Sequence, residues 1–239
     1  MLFDIMLRDA PIAIKLLNVL IWIVALLPAL TFHEWAHGYA AYKLGDRTAK
    51  ADGRLSLNPL DHIDPLGAVM MFLVGFGWAK PVPVNTRNFK NPKRDLAITS
   101  AAGPLMNFIV AFVSTFFAVF TLWLAQRYNA MNTTVEVIYL VFEYSATLNL
   151  GLGLFNLIPL PPLDGSNVLM CLLPPKAAMQ YSKIRYYSHY IFLGLIILSR
   201  LSIPFNPLSL LGFARDFIFD GFWSLAVKMI APFFEFFFF

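Results

Sequence analysis

Phe32-His33-Glu34-Trp35-Ala36-His37-Gly38 closes a long, mostly apolar run that begins near Ile12. That position decides the fold. A run of this length and apolarity, rising ~1.5 Å per residue, is a helix able to cross a bilayer, and ionisable groups inside such a segment are costly enough to mark function. Four residues apart, His33 and His37 share one helical face, so both rings can aim a nitrogen at one cation. Glu34 beside them can take a proton from a water held there. With only four histidines in the chain, H-E-x-x-H would arise in roughly one shuffled sequence in a thousand. The bland alternative is three polar residues capping the helix or snorkelling to an interface.

Outward from this stretch, Pro28 is expected to kink the first helix and Gly45-Asp46 to end it. Asp46 to Asp64 is polar and rich in turn signals, Asn58-Pro59 and Asp64-Pro65 among them. Leu66 to Trp78 is apolar but too short to cross as a helix, and Pro81 and Pro83 follow it. Residues 55–84 are therefore read as a re-entrant element with β character, protected by protein because lipid cannot satisfy its backbone. Leu96 to Leu124 forms the second span. Val135 to Leu154 forms the third, stopped by Pro159, Pro161 and Pro162. Tyr186 to Leu201 supports a fourth, and the aromatic tail from Pro207 to Phe239 either spans or lies on the membrane.

The chain has 239 residues, 59% hydrophobic and 13% charged, against roughly a quarter charged in soluble domains. The fold class expected is thus an all-α polytopic membrane protein with about 4–5 transmembrane helices and a small membrane-embedded β element. It reads as one domain over 1–239, with a core at about 12–173 and C-terminal helices at about 180–239. The mixed-charge start, with Asp4, Arg8 and Asp9, reads as a retained helix and not a cleaved leader. The single cysteine, Cys171, excludes an internal disulfide. Half of the 18 basic residues lie in 43–94. They flank apolar segments, which points to lipid headgroups and topology, not nucleic acid. The positive-inside rule puts 43–94 and 174–185 in the cytoplasm and the N-terminus outside, in the cell membrane. The ends of spans one and three then share the cytoplasmic side.

Two histidines need a third ligand. Asp164, in Asn156-Leu-Ile-Pro159-Leu-Pro161-Pro162-Leu163-Asp164-Gly165, is the candidate, since carboxylates near span ends are few and it falls on the required side. Two histidines, a carboxylate and a water make a four-coordinate catalytic site, and this ligand set suits zinc best. Taken alone, Asp164 before Gly165 would read as a capping or turn residue. His62 and His189 lack partners at ligand spacing and read as structural or interfacial.

These residues carry a resemblance to the site-2 protease family of intramembrane metalloproteases, over roughly residues 20–170. His33-Glu34-x-x-His37 looks like its zinc motif, and Asn156-x-x-Pro159 with Leu163-Asp164-Gly165 like its second motif. Gly103-Pro104-Leu105-Met106-Asn107 is similar to a looser G-x-x-x-N pattern, and 77–85 to the segment between its first core helices. The resemblance implies zinc ligands at His33, His37 and Asp164 and a catalytic base at Glu34. It also implies contact of Asn107 with the catalytic water or oxyanion, and of Asn156 and Pro159 with unwound substrate. For these last three, helix packing is the competing role. No span-to-span gap can hold a PDZ domain, and the tail is too short for paired CBS repeats, so this is a short form.

The function expected is hydrolysis of peptide bonds in a membrane-protein substrate, single-span or a pre-cleaved stub, with one Zn2+ and Glu34 activating water. Rival readings are a membrane zinc transporter, which would not need Glu34, and an inactive substrate-binding scaffold, which the complete residue set does not favour.

Overall fold

The computed structural model describes residues 10–74, 77–200 and 207–236. Asp4, Arg8 and Asp9, Gly75, Leu201 and residues 237–239 lie outside the described residues. Among those described, the order is α1 (Ile12–Lys43), α2 (Thr48–Ala51), α3 (Pro65–Val74), α4 (Pro92–Arg127), α5 (Thr133–Asn156), α6 (Asp164–Leu172), α7 (Pro175–Ser182), α8 (Ile184–Arg200) and α9 (Pro207–Phe236), with single 3-10 turns at 59–61 and 86–88.

The helix ends follow local chemistry. α1 carries Pro28 in its interior and runs on until Gly45, at φ +111°, takes a left-handed turn that favours glycine. α4 opens with Pro92, in the turn where proline's missing N–H removes no helical hydrogen bond. α5 is capped by Asn132, whose side chain accepts from the Val135 N–H at 3.1 Å. Its end coincides with the proline cluster.

Three of these helices, α1, α4 and α5, are long and apolar enough to cross a membrane. They pack on one another as the central layer. Small side chains let the axes approach: Ala25 and Ala29 of α1, Ala111 and Ala118 of α4 and Ala146 of α5 are all buried. Trp22 and Leu26 of α1 pack against Tyr144, Leu148 and Leu152 of α5. Ser114 and Ser145 hydrogen-bond across α4 and α5 at 2.9 Å, each satisfying a hydroxyl that lipid could not. α9 lies along the outside of α4, with Val119 against Ala226 and Ile230. α8 has 17 residues.

The stretch 55–84 differs from the expected β element. Residues 65–74 are the helix α3, and strand pairing among the described residues is one antiparallel bridge, Ile63 to Ala79, beside a Lys80 N–H to His62 carbonyl bond of 2.9 Å. The physical reasons are local. Asp64 accepts from the Gly67 N–H at 2.7 Å, a helix-start contact. The run after Pro65 does not alternate in polarity, and Pro81 and Pro83 lack the donors that a ladder needs.

Candidate metal centre

α1 carries His33 and His37 one turn apart, their ring centroids 4.6 Å from one another. Asp164, the first residue of α6, reaches them from the far side of the α5–α6 loop. Its Oδ2 lies 3.2 Å from His33 Nε2 and 3.3 Å from His37 Nε2, and the two Nε2 atoms are 3.1 Å apart. The Asp164 carboxylate is thus aimed into the interior and does not cap α6, which has no side-chain cap.

The hydrogen bonds behind the rings fix where their protons sit. Asn107 gives both amide hydrogens away, to the Ala29 carbonyl at 3.2 Å and to Asn149 Oδ1 at 2.8 Å. Its Oδ1 therefore faces His33 Nδ1, at 2.6 Å, as acceptor, and His33 carries its proton on Nδ1. Asn149 is oriented in turn by donating to the Ser145 carbonyl at 2.8 Å. His37 Nδ1 donates to the Thr99 carbonyl at 2.7 Å. Both Nε2 atoms then present lone pairs to each other and to a carboxylate oxygen. In neutral imidazoles, three such donor atoms about 3 Å apart with no proton between them repel, and a cation among them reverses that sign.

Glycines make the room. A Cβ on Gly103 would fall 2.7 Å from His33 Cε1 and closer still to His37 Nε2, so the first position of G-x-x-x-N admits no side chain beside the imidazoles. A Cβ on Gly165 would strike the backbone of Leu157 and lie 2.7 Å from the Ile158 carbonyl, which accounts for glycine directly after Asp164.

Glu34 lies in the same cavity, of about 600 Å³, whose walls include His33, His37, Leu30, Trp78, Asn156 and Asp164. Its Oε2 accepts from the Val82 N–H at 3.0 Å. Val82 belongs to an irregular strap, residues 77–85, that lines the cavity. Val82 is buried against Gly38, where a Cβ would meet it at 3.1 Å. Arg54 clamps the strap from outside through the carbonyls of Asp61 and Lys80. Its far end is held by Asp46, which accepts from the Asn85 N–H at 2.7 Å, Asn88 Nδ2 at 2.7 Å and Thr48 Oγ1 at 2.5 Å. Burial works against the charged Asp46 carboxylate, but these donors together outweigh it and hold its pKa below the usual carboxylate value.

The residues singled out from sequence separate into groups. His33, Glu34, His37, Asp164 and Asn156 line the cavity. Asn107 stands behind His33, fully buried, with its polar atoms committed to protein partners and not to the cavity. Pro159 is exposed and its carbonyl accepts from Tyr181 at 2.7 Å, away from the cavity. His62 is buried, with Nε2 on the Ser56 carbonyl at 2.8 Å, a structural role. Thr99, Asn149 and the Val82 amide were not visible as site residues. Two act through backbone atoms that every residue has, and Asn149 sits mid-helix with no spacing signal.

The profile described as peptidase family M50 matches residues 21–199, a range that holds every residue of the centre. Over 176 residues the chain is 41% identical to a protein of Bacillus subtilis named putative zinc metalloprotease YwhC, covering 73% of this chain and 79% of that one. Over 181 residues it is 26% identical to putative zinc metalloprotease Rip2 of Mycolicibacterium smegmatis, covering 74% of this chain and 66% of the relative. Zinc metalloprotease MJ0392 of Methanocaldococcus jannaschii is 29% identical over 162 residues, 66% of this chain and 37% of its own. No solved structure matches at a significant level.

Proposed function

We propose that this chain, which belongs to peptidase family M50, the family of the site-2 proteases, is a zinc metalloprotease that cuts peptide bonds within or near the membrane segments of other proteins. The observation that carries the reading is the triangle of ligating atoms, His33 Nε2, His37 Nε2 and Asp164 Oδ2, set beside a glutamate in an apolar cavity.

The residues fit zinc. A tetrahedral ion with bonds of ~2.0–2.1 Å holds its ligands roughly 3.3 Å apart, and the donor pairs here lie at 3.1, 3.2 and 3.3 Å. Bound zinc supplies Lewis acidity, polarising a carbonyl and lowering the pKa of water. The chain's own residues do the rest. His33, His37 and Asp164 hold the ion, with the two rings locked by Asn107 and the Thr99 carbonyl. Glu34 is not needed as a ligand, which frees its carboxylate to take a proton from water and return it to the leaving amine. The Val82 N–H holds Glu34 in position for that transfer. Asn156, on the cavity wall, is available to a substrate backbone.

A helical substrate resists this chemistry because its carbonyls are hydrogen-bonded. Pro81 and Pro83 hold the strap residues before them in extended backbone, and an unwound segment lying beside the strap would have its carbonyls exposed. Substrates with helix-weakening residues near the cut are therefore favoured, and a single-span protein or a membrane stub is the class expected. We read the whole chain as one membrane-embedded domain. α8 and α9 add one or two spans, supported by the packing of α9 along α4, and α3 with the strap forms the re-entrant element. The basic residues of 43–94 support a cytoplasmic site with the N-terminus outside.

The test uses purified protein and a tagged single-span substrate with a Gly-Pro centre, in liposomes. Wild type with zinc should cut it, whereas chelated protein and Glu34→Gln should not, although Glu34→Gln still binds one zinc. Equal cleavage by Glu34→Gln would remove the base from the mechanism. Zinc flux with no cleavage of any substrate would replace the protease reading with transport.

A further inference from the structure

A second cavity, of about 230 Å³, lies deeper along α1 than the catalytic one, and its walls include Leu26, Leu27, Ile63 and Ala68. Leu30, Met71, Trp78 and Ala79 wall both cavities, so the small one opens beside the large one, between α1 and α3. We propose that this pocket is a specificity subsite, which receives one large apolar side chain from the substrate's membrane segment. The proposal rests on the protease reading and extends it to the substrate.

Continuity identifies the occupant. A side chain entering the pocket passes the shared walls while its backbone stays on the catalytic cavity and the strap. The chemistry of the walls sets the preference. They are aliphatic and aromatic, and the one charged wall residue among those described, Asp64, has Oδ1 engaged by the Gly67 N–H. Apart from the indole N–H of Trp22, which is buried without a partner, the walls offer a polar side chain little to bond, and burying one without a partner is unfavourable. The geometry also gives a register. Leu30 lies one turn before His33 and Leu26 two. At ~1.5 Å per helical residue these two walls sit about 5–11 Å along α1 from His33. An extended chain at ~3.3 Å per residue covers that distance in roughly two to four residues. The pocket thus reads a position two to four residues from the scissile bond, on the side of the bond that points away from Gly38 along α1.

The experiment measures kcat/KM in liposomes for a Gly-Pro-centred single-span substrate carrying Gly, Ala, Leu or Phe, in turn, at each position within five residues of the cut. Wild type should favour Leu over Gly at one position two to four residues away by about ten-fold or more. Ala68 is exposed to the cavity, and Ala68→Phe fills the pocket without burdening the core. It should abolish the Leu-over-Gly ratio at that position alone. Leu27→Ala enlarges the pocket and should move the preference from Leu to Phe there. A wild type that cuts the series with no size preference in the window, or variants that keep the wild-type ratios, would overturn the subsite and leave the protease intact. Loss of a co-purified lipid from Ala68→Phe with unchanged ratios would reassign the pocket to an acyl chain and likewise overturn it. A wild type that cuts no member of the series overturns the protease reading and the subsite with it.

Discussion

His33 Nδ1 and Asn107 Oδ1 lie 2.6 Å apart, and the proton between them belongs to the histidine because both amide hydrogens of Asn107 are committed elsewhere. The asparagine therefore acts on the metal through the ring that it orients. Partners that orient a ligating ring in this way change metal affinity by about 10–100-fold when removed. Asn107→Ala should weaken zinc binding by that factor and lose activity that excess zinc restores. Asn107→Asp, which keeps the acceptor, should bind zinc more tightly than Asn107→Ala. Competition with a chromophoric chelator reads both. Equal affinities in all three proteins would return Asn107 to helix packing.

Gly103 carries a sharper prediction. Its missing Cβ is the space that the two imidazoles occupy. Gly103→Ala adds only a methyl group, and in an exposed helix it would be mildly favourable. Here it should displace the rings, dropping bound zinc well below one per chain with helical content unchanged by circular dichroism. Full metal occupancy in that variant would mean that the backbones of α1 and α4 can separate at little cost.

The strap is tested through one hydrogen. Val82→Pro removes the N–H that holds Glu34 and leaves the ligands untouched. A general base is worth about 10²–10⁴ in rate, so a loosely held one should lose part of that, about ten-fold or more in kcat, with zinc stoichiometry unchanged. Val82→Ala, which keeps the N–H and loses the packing on Gly38, separates positioning from fold. If both variants lose activity equally, packing and not the hydrogen bond is what matters.

Asp46 should link stability to acid. Its folded pKa is lowered, so the unfolded chain binds the proton more readily. The stabilisation is present above the ordinary aspartate value of ~4 and is lost as pH falls through the lower folded value. Asp46→Asn replaces one acceptor oxygen by an NH2 group facing donors that it cannot satisfy, and should cost about 1–3 kcal/mol at pH 7. The gap in thermal midpoint between wild type and variant should narrow in detergent below pH 4. A gap independent of pH would place the effect in packing.

Part of this was readable in the residues alone. His33, Glu34 and His37 announce themselves because helical spacing is itself a geometry. The three long spans follow from apolar length, and two of their ends from Gly45 and the prolines after Asn156, whereas the Asn132 cap of α5 was not read from the sequence. Asp164 could be found only by asking which carboxylate reaches the same side of the membrane. α3 was harder, since a short apolar run with glycines fits a helix or a strand, and the Asp64 contact that decides it is tertiary detail. Asn107 was legible as a residue, but its partner was not. A buried amide can serve several acceptors and donors, and the choice of His33 is made by Asn149 from another helix.

The three ligands also sit far apart in the order of synthesis. His33 and His37 lie in the first helix of the core, whereas Asp164 follows α4 and α5. A chain interrupted before Asp164 holds two donors and lacks part of the cavity wall, so the site cannot form until residue 164 has been made. Once complete, a bound ion fastens the first third of the chain to the last third. Because it binds the folded chain far better than the unfolded one, it adds stability in proportion to the logarithm of its concentration. The ion that would make the site competent would thus also tie together parts of the chain made far apart.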